Sequence, residues 1–189
     1  LSDSGFLMME HQVYTPRLVS EALAALENRG ALGGASGISD PSRHIAVYDL
    51  PKMRRKILLL SKRPLTDSLR YYALGPLTQE RFGQIHLLYP PANDSLANNQ
   101  IARIVNDGWR KLADSAKIDL SPVSDNRPFV AQLGLWRNLT SENMQKVSNY
   151  AEFSGFPLSK VTLLIILAVV VVIILPVNLI PYLSKGEHL

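Results

Sequence analysis

The 189-residue chain contains no cysteine. That excludes a disulfide framework, thiolate metal ligands and a cysteine nucleophile from these residues, and it leaves the compartment open. Histidine is nearly as scarce: His11, His44, His86 and His188 stand far apart, with no pair at metal-ligand spacing, so no metal centre is expected. Acidic residues are missing between Asp49 and Asp67, where Lys52, Arg54, Arg55, Lys56, Lys62 and Arg63 follow one another. No aromatic residue interleaves that basic run and no recognition motif accompanies it, so nucleic acid is not expected as a partner. The run reads either as a solvated turn or as a contact for an anionic surface, with Lys52, Arg54 and Arg55 as its candidate residues.

Charge of either sign is absent from Val161 to Leu175, VTLLIILAVVVVIIL. With Pro176, Val177, Leu179 and Ile180 the apolar stretch reaches the roughly 20 residues needed to cross a bilayer. A soluble amphipathic helix would show a polar face, and none is present. A wholly buried core helix is the alternative; a membrane span is the preferred reading, with the lipid bilayer as partner. Lys146 and Lys160 precede the span, with Arg137 further upstream, and Lys185 follows it. That asymmetry leans towards a cytoplasmic location for the preceding domain. The residues from Leu1 show no secretory-signal pattern, which carries no weight if the true start lies upstream, and the sequence stops soon after the span in SKGEHL. The expectation is a piece of a longer multi-span protein whose partners include its own N-terminal half and further transmembrane helices. A homodimer is also compatible with the sequence.

Before the span the pattern alternates between strand and helix. FLMMEHQV at 6–13 reads as a buried central strand. Thr15-Pro16 supplies a hydroxyl cap and a first-turn proline, and Leu18, Ala22, Ala25 and Leu26 fall on one helical face before Gly30. Small residues fill 31–37. His44–Tyr48 and Lys56–Ser61 are strand-like and joined by a short basic connector, which makes them most simply antiparallel. Residues 84–89 suggest one more extended piece, and Asn98–Leu112 an amphipathic helix with Ile101, Ile104, Val105, Trp109 and Leu112 on its packing face. Thr140-Ser141 can cap a helix running to about Tyr150, and the apolar stretch Phe129–Trp136 suits either the membrane surface or the domain.

Several words in this order resemble the C-terminal half of a spermidine synthase-like domain from bacterial multi-pass membrane proteins. Leu1-Ser-Asp-Ser-Gly5 before FLMME is similar to the family's L-x-P-G-G turn into the fifth strand of a methyltransferase-type sheet. Ser39-Asp-Pro-Ser-Arg-His-Ile-Ala-Val47 is similar to ADPARHIVV before the sixth strand, and Ile57-Leu-Leu-Leu-Ser-Lys62 to the final strand ending in SK. Ser124-Asp-Asn-Arg-Pro-Phe129 is similar to TDDRPFF, just ahead of the family's C-terminal spans. The resemblance covers most of the chain. It implies an α/β fold: the C-terminal part of a Rossmann-like methyltransferase-type sheet with an antiparallel edge hairpin, followed by a transmembrane helix. The implied divisions are 1–120 for the half-domain, 121–157 for a juxtamembrane connector, 158–183 for the span and 184–189 for the start of a polar loop.

The implied activity is aminopropyl or methyl transfer from S-adenosylmethionine or its decarboxylated form, in the bacterial inner membrane. The cofactor would be held mainly by upstream sequence, and no catalytic residue is expected in these residues, which are expected to be inactive alone. Gly33-Gly34-Ala35-Ser36-Gly37 follows a helix instead of joining a strand to one, so it is not read as a nucleotide loop. A glutamine stands on the substrate side near the end of the fifth strand in spermidine synthases, so Glu10 and Gln12 are the implied contacts for a cationic amine; a solvated strand end is the plain alternative. The family's aromatic TYPSG lid is replaced here by Leu50-Pro51-Lys52-Met53-Arg54-Arg55, whose cations would repel a polyamine. Asp125, Arg127 and Pro128 are read as a structural motif that fixes the domain near the membrane, with substrate contact as the lesser reading. A non-enzymatic membrane protein that keeps the fold as a binding or assembly module is the competing function.

Overall fold

A computed structural model describes residues 5–11, 14–27, 38–72, 83, 85–91, 94–126, 132–148 and 155–184. The chain divides into two compact units, Leu1–Ala131 and Gln132–Leu189.

In the first unit β1 (Phe6–His11) leads into α1 (Thr15–Glu27). A 3-10 turn at Pro41–His44 then opens β2 (Ile45–Leu50), and a second at Pro51–Met53 joins it to β3 (Arg55–Ser61). The remaining elements are α2 (Asp67–Tyr72), β4 (His86–Tyr89), α3 (Gln100–Asp107) and α4 (Trp109–Leu112). The sheet order is β1-β3-β2-β4 and every pairing is antiparallel. The hairpin expected at 44–61 is therefore present, but it is not at the edge: β4 pairs with β2 and places the hairpin in the middle.

Strands β2 and β3 are covered on both faces, which is why they read as unbroken apolar runs instead of alternating. Ala46, Tyr48, Leu50, Ile57, Leu59 and Leu65 form one buried cluster, with Ile85 and Leu87 against it. Ile45, Val47 and Leu58, on the opposite parity, are buried as well. Helix α1 contacts β3 and α3, and buries Val19, Ala22, Leu23 and Leu26. Of the expected stripe, Ala22 and Leu26 are buried whereas Ala25 is exposed, so the packing face is turned towards Val19 and Leu23. Thr15 lies inside the helix, and its hydroxyl donates back to the His11 carbonyl at 3.3 Å. The Gly30 stop and the glycine-rich stretch lie outside the described residues.

Two further sequence expectations are corrected. Strand β1 is apolar but not buried: Phe6, Leu7 and Met8 are 50%, 40% and 44% exposed, and no described strand pairs with its outer edge. The helix expected over 98–112 is two helices, because Gly108 takes φ 82° and ψ 147°, a backbone state that ends α3 and starts α4. Ile101, Ile104 and Leu112 of its expected face are still buried.

The second unit holds α5 (Ser141–Ser148), α6 (Leu158–Val169), a π turn (Val170–Ile174) and α7 (Leu175–Ser184). Leu158–Ile180 is long and apolar enough to cross a membrane, and its apolar window is 0% buried. The buried-core alternative therefore does not describe it. At 1.5 Å per residue these 23 residues extend about 35 Å, against a hydrocarbon core of about 30 Å. The π turn ends two residues before Pro176, whose ring lacks an amide donor and crowds the preceding turn. Asn178, a polar residue of α7, donates its side-chain amide to the Ile174 carbonyl at 2.7 Å.

Candidate functional site

Strands β1 and β2 run the same way, so both end on one rim of the sheet, where β3 and β4 begin. In mostly parallel α/β sheets ligands bind outside the carboxyl ends of the strands; in this antiparallel sheet β1 and β2 end on this rim while β3 and β4 start there. Here it gathers Glu10 and His11 from β1, Asp49 from β2, Arg55 and Lys56 from β3, and His86 from β4, whose Cα stands opposite Asp49.

The charges are largely matched. Arg55 Nη1 meets Glu10 Oε1 at 2.7 Å across β1 and β3, and Lys56 Nζ lies 3.7 Å from Asp49 Oδ1. His11 packs its ring on Tyr14 with centroids 4.2 Å apart, and its Nδ1 accepts from the Tyr14 amide at 3.3 Å. That contact gives His11 a structural task at the β1–α1 corner. Gln12, the second implied substrate contact, lies outside the described residues. The structure thus joins two residues that the sequence placed in different roles: Glu10, implied to face an amine, is held by Arg55, a candidate for anionic surfaces. The register between Glu10 and Ile57 was not readable without knowing that β1 and β3 are neighbours.

The hairpin tip behaves differently. Lys52, Met53 and Arg54 are all exposed, and Lys52 and Arg54 make no ion pair among the described residues. Arg54 occupies the left-handed region at φ 52°, and its amide closes the turn onto the Pro51 carbonyl at 3.1 Å. A basic, partly apolar tip of this kind offers point charges to an anionic surface and little to a polycation.

Other polar features serve the framework. Burial pushes the Tyr48 hydroxyl up to about 12, the Arg70 charge opposing it, and the hydroxyl donates to the Arg70 carbonyl. Buried His44 places Nδ1 3.1 Å from the Ser61 carbonyl, tying the turn before β2 to the end of β3. Arg17 on α1 is 1% exposed, a burial that its place in a mixed helical pattern did not announce. A groove of about 360 Å³ lies elsewhere, between α1 residues such as Ser20 and Leu23, the turn at Asp40–Ser42, and the Gly108 break. Asp125 lies on an exposed turn; Arg127 and Pro128 are outside the described residues. Among the described residues no group of three or more His, Asp or Glu side chains is placed to hold a metal ion.

These observations define a mixed α/β protein with a four-stranded antiparallel sheet and one C-terminal helix of membrane-crossing length, consistent with membrane association. No protein-family model matches the chain, and neither a curated protein nor a solved structure matches it.

Proposed function

We propose that this chain is the C-terminal part of a membrane-tethered, spermidine synthase-like transferase that uses an adenosyl cofactor, with the cofactor held by sequence preceding Leu1. The observation that carries the reading is β1. A strand that is apolar over Phe6–Met9, exposed on both faces and paired by no described strand at its outer edge is the shape of a central strand lacking its neighbours. Strands β1 and β2 point the same way and are linked through α1, with β3 antiparallel between them, an arrangement suited to the end of a mostly parallel sheet. Cofactor chemistry belongs on the β1 side, S-adenosylmethionine or its decarboxylated form being the ligand and the bacterial inner membrane the place. Isothermal titration of the protein together with its upstream sequence tests this: saturable heat with either compound is expected, and none with both overturns the transferase.

One observation favours the second reading, a binding or assembly module. Glu10 is engaged by Arg55 and Asp49 by Lys56, so this rim offers an amine few open carboxylates. A protein that binds neither adenosyl compound but still needs its upstream sequence for a monodisperse fold would be that module.

A further inference from the structure

We propose that Trp136 and the loop around it form an interfacial collar, seated in the headgroup–acyl boundary of the bilayer at the start of the span. The inference rests on the membrane reading of Leu158–Ile180, and it assigns a lipid contact to residues outside that helix.

The loop is fixed to the helix start by contacts that need no lipid. Lys160, in the first turn of α6, donates Nζ to the Gly134 carbonyl at 2.8 Å. The Leu135 amide and the Asn138 side-chain amide both donate to the Gly155 carbonyl, at 3.0 and 3.1 Å. Gly134 packs so closely on Phe156 and Pro157 that an added Cβ would lie 2.4 Å from the Pro157 Cα. The position of Trp136 relative to the first turn is therefore set, with the Lys160 ammonium 5.8 Å from its ring centroid.

Held there, Trp136, which opens a 3-10 turn over Trp136–Asn138, is 51% exposed, as is Leu139 just after that turn, and Leu158 at the helix start is 53% exposed. An indole has an apolar body and one polar N–H, the combination favoured where hydrocarbon meets headgroups. Lys160 is the last charge before the apolar run, and its long stem can lie along apolar surface while the ammonium reaches the polar layer. Polar Ser159 and Lys160 give way to exposed Leu163 and Leu164 within one turn, so the water–lipid boundary falls where Trp136 is clamped. That continuity with the bare face of the span selects lipid over a protein partner.

Fluorescence tests the collar because the chain has 2 tryptophans, Trp109 and Trp136. The protein is reconstituted into vesicles of phosphatidylcholine brominated either near the carbonyl end or near the methyl end of the acyl chain. The difference between the unsubstituted protein and Trp136→Phe isolates Trp136 without disturbing Trp109. The expected result is blue-shifted emission from Trp136, shielding from iodide, and stronger quenching by the shallow bromines than by the deep ones. Emission that is red-shifted, quenched by iodide and indifferent to both bromolipids overturns the proposal. Val171→Trp in a Trp109→Phe/Trp136→Phe background reports on the span itself. Deep quenching of that probe with an iodide-accessible Trp136 removes the collar alone; absence of deep quenching removes the span and the collar together.

Discussion

Gly134 is the position at which one methyl group should matter most. An added Cβ would stand 2.4 Å from the Pro157 Cα and 2.6 Å from the Phe156 carbonyl oxygen. Both obstacles are backbone, so no rotamer change relieves them. Gly134→Ala should cost about 1–3 kcal/mol, the usual range for overpacking, and lower the midpoint of thermal unfolding in detergent. The same clash would loosen the Lys160–Gly134 hydrogen bond, so the variant should also raise iodide access to Trp136. Tyr48 makes a prediction of the opposite kind, visible only at high pH. Its hydroxyl is raised from 10.0 to about 12, chiefly by burial, so the folded state prefers the neutral phenol. The resulting stability is fully present below pH 10 and is lost as pH rises towards about 12; the whole of it amounts to roughly 2–3 kcal/mol. Tyr48→Phe should lower stability at pH 8 by about 1 kcal/mol through the lost hydrogen bond. It should also flatten the decline of the urea midpoint between pH 10 and pH 12, and an unchanged decline would assign the titration to another group.

Elements were legible where local chemistry dictates them and obscure where neighbours do. Strands β2 and β3 follow from IAVY and ILLL and from the turn residues between them, so their existence and antiparallel pairing could be read directly. The burial of β1 could not, since FLMME carries the same signal as ILLL while what covers a strand is not encoded in the strand. The rotation of the α1 face has a similar origin: alanines at 22 and 25 suit either side, and contact with β3 and α3 chose between them. At the rim, the residue types were visible but not their pairing, because Glu10 and Arg55 are 45 positions apart and meet only through the register of β1 and β3. The break at Gly108 was readable in principle, since a glycine inside a helical pattern already costs about 1 kcal/mol. With φ 82°, ψ 147° and nothing within 4 Å of an added Cβ, Gly108→Ala and Gly108→Ser should both lose about 1–3 kcal/mol from backbone strain alone. Equal shifts in their unfolding midpoints would support that cause, and a large difference between them would mean that side-chain packing is involved.

The two units make different demands on their surroundings. The bare helix of the second asks for hydrocarbon, and alkaline carbonate washing should leave the protein in the vesicle pellet; release into the supernatant would remove the span. The first asks for a neighbour at β1. Its outer edge, paired by no described strand, offers a row of backbone donors and acceptors flanked by Phe6, Leu7 and Met8, which is a template for pairing with whatever strand arrives first. On the proposed reading that strand comes from sequence preceding Leu1, and in its absence from another copy, so that the chain alone should self-associate. Restoring the upstream sequence should place an internal strand there and slow amide exchange at Phe6–His11, because pairing removes those groups from water. Leu7→Lys separates the outcomes: in the isolated chain it should reduce association by placing a charge on the edge, whereas in the longer protein it should impair folding by burying that charge. If the substitution is harmless in both, β1 is a true edge, and the incomplete-sheet reading loses the observation on which it stands.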